Sequence, residues 1–173
     1  MTSYPLGFRL AQGIGLTGAA WLAGNISGLS TISTPALIRS YREDNVPSNT
    51  IAKQWQRMFE LGKAKNPPVA AAVTVSFGYL AWSVRPGSSL FKQAPLSRTA
   101  LFSTAAIMTL GIIPFTIMFM SSTNNALIQK ASGPSESSDE ETLELVRTWT
   151  TLNQLRGLLP LAGVCCGFVA SFI

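Results

Sequence analysis

Charged residues are missing from four long windows of this chain, residues 10–38, 66–84, 99–129 and 157–173, and every Asp, Glu, Lys and Arg lies beside or between them. A bilayer core needs about 20 mostly apolar residues per helix, and a charge at its centre is expensive. A soluble bundle of the same size would carry charges along the outer face of each helix. The pattern therefore predicts an all-α polytopic membrane protein: a four-helix transmembrane bundle with amphipathic loop helices. Its spans lie at about 10–34, 68–84, 99–121 and 157–173, in a single membrane domain covering residues 1–173.

Each span has its own character. The first holds Gly13, Gly15, Gly18, Gly24 and Gly28 among alanines and serines. Gly24 and Gly28 form a small-xxx-small pair of the kind that lets helix backbones approach, and Pro35 is expected to end the helix. The window is read as a retained span rather than a cleaved signal. Between the first two spans, "SNTIAKQWQRMFELGK" opens on capping residues Ser48, Asn49 and Thr50 and repeats apolar residues at helical spacing. This predicts a short amphipathic helix over 48–62, ended by Gly62 and Pro67–Pro68. It serves either as an interfacial float anchored by Trp55 or as a lid over the bundle. Pro114 is expected to kink the third span. After the acidic stretch "SGPSESSDEE", a polar helix from about Glu141 continues into the fourth span.

Composition agrees: 12% of the 173 residues are charged and 47% are hydrophobic, an unusual balance for a soluble domain. The net charge of +5 does not imply nucleic acid, because no basic run is interleaved with aromatics. Lys and Arg counts alone place the large loops in the cytoplasm, whereas net charge places the termini there. The two counts disagree, and large loops that fold over the bundle weaken either one; orientation stays open, with the reading leaning to large loops outside the cytosol. Cys165 and Cys166 are adjacent, which suits neither a disulfide nor metal-ligand spacing. There is no histidine, so the commonest ligand for haem, copper, zinc and non-haem iron is missing. No nucleotide-binding glycine motif follows a strand. No cofactor and no bound metal are expected.

The polar residues that apolar spans do not need are the candidates for function. Asn25 falls near the middle of the first span, Asn124 and Asn125 follow the third, and Asn153 precedes the fourth. In "TWTTLNQLRGLLPLAG", Trp149, Asn153 and Arg156 have offsets of 0, 4 and 7, which put an indole, an amide and a guanidinium on one helical face. Taken singly, an amide can simply pair two helices, and an arginine can snorkel to the headgroups. Together on one face, they suggest one wall of a pocket at the membrane boundary.

Four stretches, "AQGIGLTGAAWLAGNISGLSTISTPAL", "AKQWQRMFELGK", "IIPFTIMFMSSTNNAL" and "WTTLNQLRGLLPLAG", resemble in content and order the fungal and bacterial anthrone oxygenases, a small membrane family. The resemblance spans nearly the whole chain. Its most specific parts are Pro-Phe-Thr followed by Asn124 and Leu127, and Trp149, Asn153 and Arg156. It implies a cofactor-independent monooxygenase of secondary metabolism that oxidises the central methylene of an anthrone to give an anthraquinone, with O2 as co-substrate. It also implies a small aromatic polyketide as substrate and an integral location in the endoplasmic reticulum or a related endomembrane. A mechanism built on histidine does not apply to this chain.

On that reading Arg156, Asn153 and Asn124 are the catalytic donors, and Trp149, Trp55, Asn25, Phe115 and Thr116 bind the substrate. Glu144, Glu60, Lys53 and Tyr79 are candidates for the general base, with a bound water as the alternative. Two other classes stay open. A non-catalytic tetraspan scaffold would pair its buried amides helix to helix. A membrane isomerase or cyclase would need an acidic residue inside the bundle, and none of the four windows contains one.

Overall fold

The computed structural model describes residues 4–91, 97–133 and 139–173. The predicted loops at 85–98 and 132–141 therefore fall partly outside the described residues, Lys92 among them. The described elements are helical: α1 (Leu6–Gly28), a π turn (Leu29–Ser33), α2 (Thr34–Asp44), α3 (Ser48–Ser83), α4 (Arg98–Leu110), α5 (Ile112–Phe115), a second π turn (Thr116–Met120), α6 (Ser121–Ser132) and α7 (Asp139–Phe172).

Several boundaries differ from the sequence expectation, each for a local reason. Pro35 does not end the first helix; it lies where the first π turn runs into α2, inside one unbroken helical run. In i→i+5 pairing the Ser30 carbonyl would look to the absent Pro35 N–H, and the Thr34 hydroxyl donates to it instead at 3.4 Å. The helical run continues to Asp44 and stops at Asn45, whose φ of 53° is the left-handed conformation that closes helices. Gly62, Pro67 and Pro68 likewise lie within α3, so the amphipathic stretch and the predicted second span form one helix. Pro114 sits in α5, directly ahead of the second π turn. The polar helix running into the fourth span is present as α7, whose first turn carries Asp139, Glu140 and Glu141, the charge sign favoured at a helix N-terminus.

Among the described residues two helical segments are long and apolar enough to cross a membrane, Arg98–Ser132 and Asp139–Phe172, whose most apolar 18-residue windows have mean hydropathies of 1.9 and 1.6. Only 22% and 28% of their most apolar stretches are buried within the chain, whereas a soluble protein hides such helices in its core. The first two charge-free windows, rich in Gly, Ala and Ser, are less apolar.

The chain divides into two compact units. The first comprises residues 1–23, 66–112 and 158–173. Its core is built around Phe8, Leu22, Phe77, Leu80 and Phe102. Phe77 fits because its neighbours are glycines: an added Cβ would lie 2.9 Å from the ring at Gly15 and 2.5 Å at Gly167. Buried Arg98 donates from Nε to the Ala170 carbonyl at 3.0 Å, satisfying an acceptor in the last turn of α7.

The second unit comprises residues 24–65 and 113–157, with a core of Ile51, Trp55, Met120, Leu127, Val146 and Trp149. The Ser48 hydroxyl donates to Asp139 Oδ1, and Asn49 Nδ2 donates to the carbonyls of Lys130 and Gly133, closing the end of α6. Lys130 pairs with Glu141 at 2.7 Å. The expected packing pair of Gly24 and Gly28 is not used: an added Cβ at either would meet nothing within 4 Å. The close approach falls at Gly157, where a Cβ would lie 2.7 Å from Ser27 Oγ and 3.3 Å from Ile26 Cγ2.

Candidate functional site

The face of α7 singled out by its spacing forms a junction of polar contacts inside the second unit. Asn153 is fully buried. Its Nδ2 donates at 2.8 Å to both the Ile26 carbonyl and Ser30 Oγ, while its Oδ1 accepts from Arg156 at 2.6 Å. This pattern settles the amide's orientation, since a flip would set oxygen against the Ile26 carbonyl and NH2 against a guanidinium. The bare backbone of Gly157, one turn further along the same face, makes room for the reach to Ile26.

Arg156 donates from one terminal nitrogen to Asn153 and from the other to Thr116 Oγ1 at 2.9 Å. Its Nε is buried and has no partner among the described residues. Buried donors normally find an acceptor, and none of the described residues supplies one here. Arg156 forms no ion pair among the described residues, so its contacts are all to neutral oxygens.

Trp149 is buried, and its indole N–H donates to Asn124 Oδ1 at 3.0 Å. Trp55, from α3, meets Trp149 edge to face with ring centroids 5.6 Å apart and stacks on Phe59 at 5.2 Å. The Trp55 Nε1 is a second buried donor with no partner among the described residues. Phe115 packs against this aromatic cluster and lies 5.0 Å from Phe119. The Thr34 and Thr150 hydroxyls meet at 2.8 Å, a further link between α2 and α7.

Of the residues singled out in sequence, Arg156, Asn153 and Thr116 form one connected set, and Trp149, Asn124, Trp55 and Phe115 form an adjoining one. Asn25 is half-buried in α1, immediately before the Ile26 carbonyl that Asn153 takes. The base candidates lie elsewhere. Glu144 is exposed and paired with Arg147, Glu60 is exposed and accepts from Gln56, and Lys53 is exposed. Tyr79 belongs to the first unit. Sequence reading missed Ser30, Gly157 and the Thr34–Thr150 contact. Their only outward signal is a run of Ser and Thr ahead of Pro35, which is unremarkable in a glycine-rich span. An open groove of about 290 Å³ is lined by Pro35, Ile38, Arg39, Arg42, Glu43 and Thr150; of the contacts described above it reaches only that of Thr150, and Arg156, Asn153 and the tryptophans do not line it.

Two membrane-length helical segments among the described residues, and a buried amide joined to a half-buried arginine beside packed tryptophans, define a class of small helical protein with a polar site in an apolar setting. A family model described as anthrone oxygenase matches residues 55–166. Anthrone oxygenase encC of Aspergillus fumigatus is 33% identical over 172 residues, covering 91% of this chain and 90% of that protein. An anthrone oxygenase of Claviceps purpurea is 30% identical over 160 residues, covering 90% and 84% of the two chains. Noranthrone monooxygenase of Aspergillus flavus is 33% identical over 158 residues, covering 89% and 69%. The chain belongs to the anthrone oxygenase family. No solved structure matches it.

Proposed function

We propose that this protein is a cofactor-independent oxygenase that converts an anthrone to an anthraquinone with O2 in aromatic polyketide biosynthesis. Family membership supports the reaction. The observation that supports this site is the guanidinium of Arg156, held by Asn153 and Thr116 with its Nε–H buried and unpartnered among the described residues.

The chemistry needs no redox cofactor. The central methylene of an anthrone lies between two aryl rings in conjugation with the carbonyl, so losing one proton yields an anthranolate whose charge rests largely on oxygen. That anion passes one electron to O2. The resulting radical and superoxide join through a new C–O bond, and a proton converts the peroxide anion to the hydroperoxide. Loss of the second methylene proton, with cleavage of the O–O bond and departure of hydroxide, makes the new carbonyl and, after proton transfer, water. One atom of O2 ends in the quinone and the other in water.

Arg156 Nε–H donates to the anthrone oxygen and gains strength as negative charge develops there. A fixed donor in an apolar surrounding stabilises that charge more than water does. Asn124 and Asn25 orient the substrate's polar edge. Trp55 is already stacked on Phe59 and meets Trp149 edge to face, so a flat tricycle enters this cluster only when the Trp55–Phe59 stack moves aside, which gives α3 the part of a lid. Water accepts the methylene proton, because the carboxylates Glu144 and Glu60 are exposed and engaged elsewhere.

The same reading takes the chain as a four-span bundle in the endoplasmic reticulum or a related endomembrane. Its support is the number of large apolar side chains left exposed, Leu10, Ile14, Val75, Trp82, Ile117, Met118 and Leu158 among them, beside buried polar residues such as Ser30, Thr34, Thr109 and Asn153. Resistance to alkaline carbonate extraction tests the integral location.

One observation favours a tetraspan scaffold instead: Asn153 and Trp149 pair with groups on other helices. That reading leaves the open donors of Arg156 and Trp55 unexplained. The deciding experiment supplies 18O2 and a hydroxylated anthrone to the purified protein in detergent. The oxygenase reading predicts quinone well above the spontaneous rate, with one labelled oxygen at the new carbonyl. A scaffold gives the spontaneous rate only.

A further inference from the structure

We propose that the two π turns are the positioning device of this site. They present the hydroxyls of Ser30 and Thr116 at the two ends of the Asn153–Arg156 pair and thereby set the direction of the Arg156 Nε–H, which has no partner among the described residues. The inference rests on the reading of Arg156 as donor to the anthrone oxygen.

π turns are rare because their i→i+5 closure is poorer than the α ladder, and a chain keeps one where tertiary contacts make up the difference. Here both described π turns meet the same pair. Ser30 is the second residue of the first turn and accepts from Asn153 Nδ2 at 2.8 Å. Thr116 opens the second and accepts from Arg156 at 2.9 Å. The extra residue in a π turn rotates everything after it by roughly 100° relative to an unbroken α-helix. Each hydroxyl therefore stands at the point where its helix changes face. The Ile26 carbonyl, one turn before Ser30, shares the Asn153 amide with it.

The chemical consequence follows from the guanidinium's planarity. Two bonds on its terminal nitrogens, to Asn153 and to Thr116, fix both the plane and the rotation within it. The Nε–H direction is then determined. Without the Thr116 hydroxyl, the guanidinium swings about its contact with Asn153. Without the Ser30 hydroxyl, Asn153 keeps only the Ile26 carbonyl and its Oδ1 is less firmly held. Ser30 and Thr116 are positioning residues: they act through Arg156, and neither needs to touch the substrate.

The test reads the ionisation of a bound anthrone without oxygen, where the coloured anthranolate accumulates and no turnover occurs. Wild-type protein in detergent is titrated with a hydroxylated anthrone under anaerobic conditions across pH, beside Thr116→Val, Ser30→Ala, Thr116→Ser and Arg156→Gln. The first two variants are expected to raise the pH of half-ionisation by about one unit, a tenfold change in equilibrium. In air their kcat falls about tenfold while KM stays within about twofold. Thr116→Ser restores both. Val matches Thr in shape, so Thr116→Val alone decides the matter where Ser30→Ala does not insert. If Thr116→Val ionises bound anthrone as wild type does while Arg156→Gln shifts the titration, the hydroxyls merely join helices and the proposal fails. If Arg156→Gln also leaves the titration unmoved, the reading of Arg156 itself fails and the positioning role falls with it.

Discussion

Arg156 and Asn153, one helical turn apart on α7, are bound to each other at 2.6 Å, with the guanidinium donating to the amide oxygen. The amide's other end is anchored on the Ile26 carbonyl and on Ser30. Asn153 is thus a bridge: it needs an acceptor toward Arg156 and a donor toward α1, and only an amide of this length supplies both.

That requirement predicts the outcome of a nearly isosteric change. Asn153→Asp improves charge complementarity with Arg156 but sets a carboxylate oxygen against the Ile26 carbonyl in a buried position. Loss of the bond and of its desolvated partner costs about 1–3 kcal/mol. The variant is expected to melt several degrees lower in the same detergent and to turn over more slowly than wild type. Equal or higher thermal stability for Asn153→Asp would contradict the expectation that loss of the bridge to α1 outweighs the added charge pair with Arg156.

The Trp149–Asn124 bond is a second buried polar pair, joining α7 to α6 at 3.0 Å. Trp149→Phe leaves Asn124 Oδ1 without its donor, and Asn124→Leu leaves the indole N–H without its acceptor. Each single variant should be destabilised by about 1–3 kcal/mol for the stranded group, and the double variant by less than the sum, with a coupling of about 1 kcal/mol. A double-mutant cycle followed by thermal unfolding measures it. Strict additivity would mean that the two side chains do not interact.

Glycines that look alike in sequence are predicted to behave oppositely. Gly157→Ala forces a Cβ to within 2.7 Å of Ser27 Oγ and against Ile26, overpacking that typically costs about 1–3 kcal/mol. It also pushes Asn153 away from its anchor, so activity should fall with stability. Gly24→Ala adds a methyl where nothing lies within 4 Å and gains roughly 1 kcal/mol of helix propensity. Thermal unfolding of the two variants side by side checks the contrast. Similar melting temperatures would contradict the close approach at Gly157.

Much of this is legible in the sequence. The row of Trp149, Asn153 and Arg156 follows from helical periodicity, which is local, and the charge-free windows locate the helical segments for the same reason. What escaped reading depends on register between distant segments. Ser30 looked like one more small residue in a glycine-rich span, and nothing local says that Asn153, over a hundred positions on, reaches it. Pro35 was expected as a stop because an isolated proline removes an N–H; the Thr34 hydroxyl supplies the missing donor, and the helix continues. Gly24 and Gly28 had the right spacing for packing but face open space, while Gly157, which stands without a matching partner in sequence, takes the contact. Thr116 was expected beside the substrate, and in the structure its hydroxyl accepts from Arg156.

The central claim is that the Arg156 guanidinium drives oxygenation of an anthrone without a metal. Its most direct test is the initial rate of anthraquinone formation by purified wild-type protein and Arg156→Ala, both dialysed against chelator and assayed in the same detergent. Wild type is expected to keep its full rate after dialysis. Arg156→Ala should be slower by tenfold or more, on the order of 1.4 kcal/mol in the barrier, while inserting and purifying normally. An Arg156→Ala protein that forms the quinone as fast as wild type, or a wild-type protein that loses its activity to the chelator, would contradict the account.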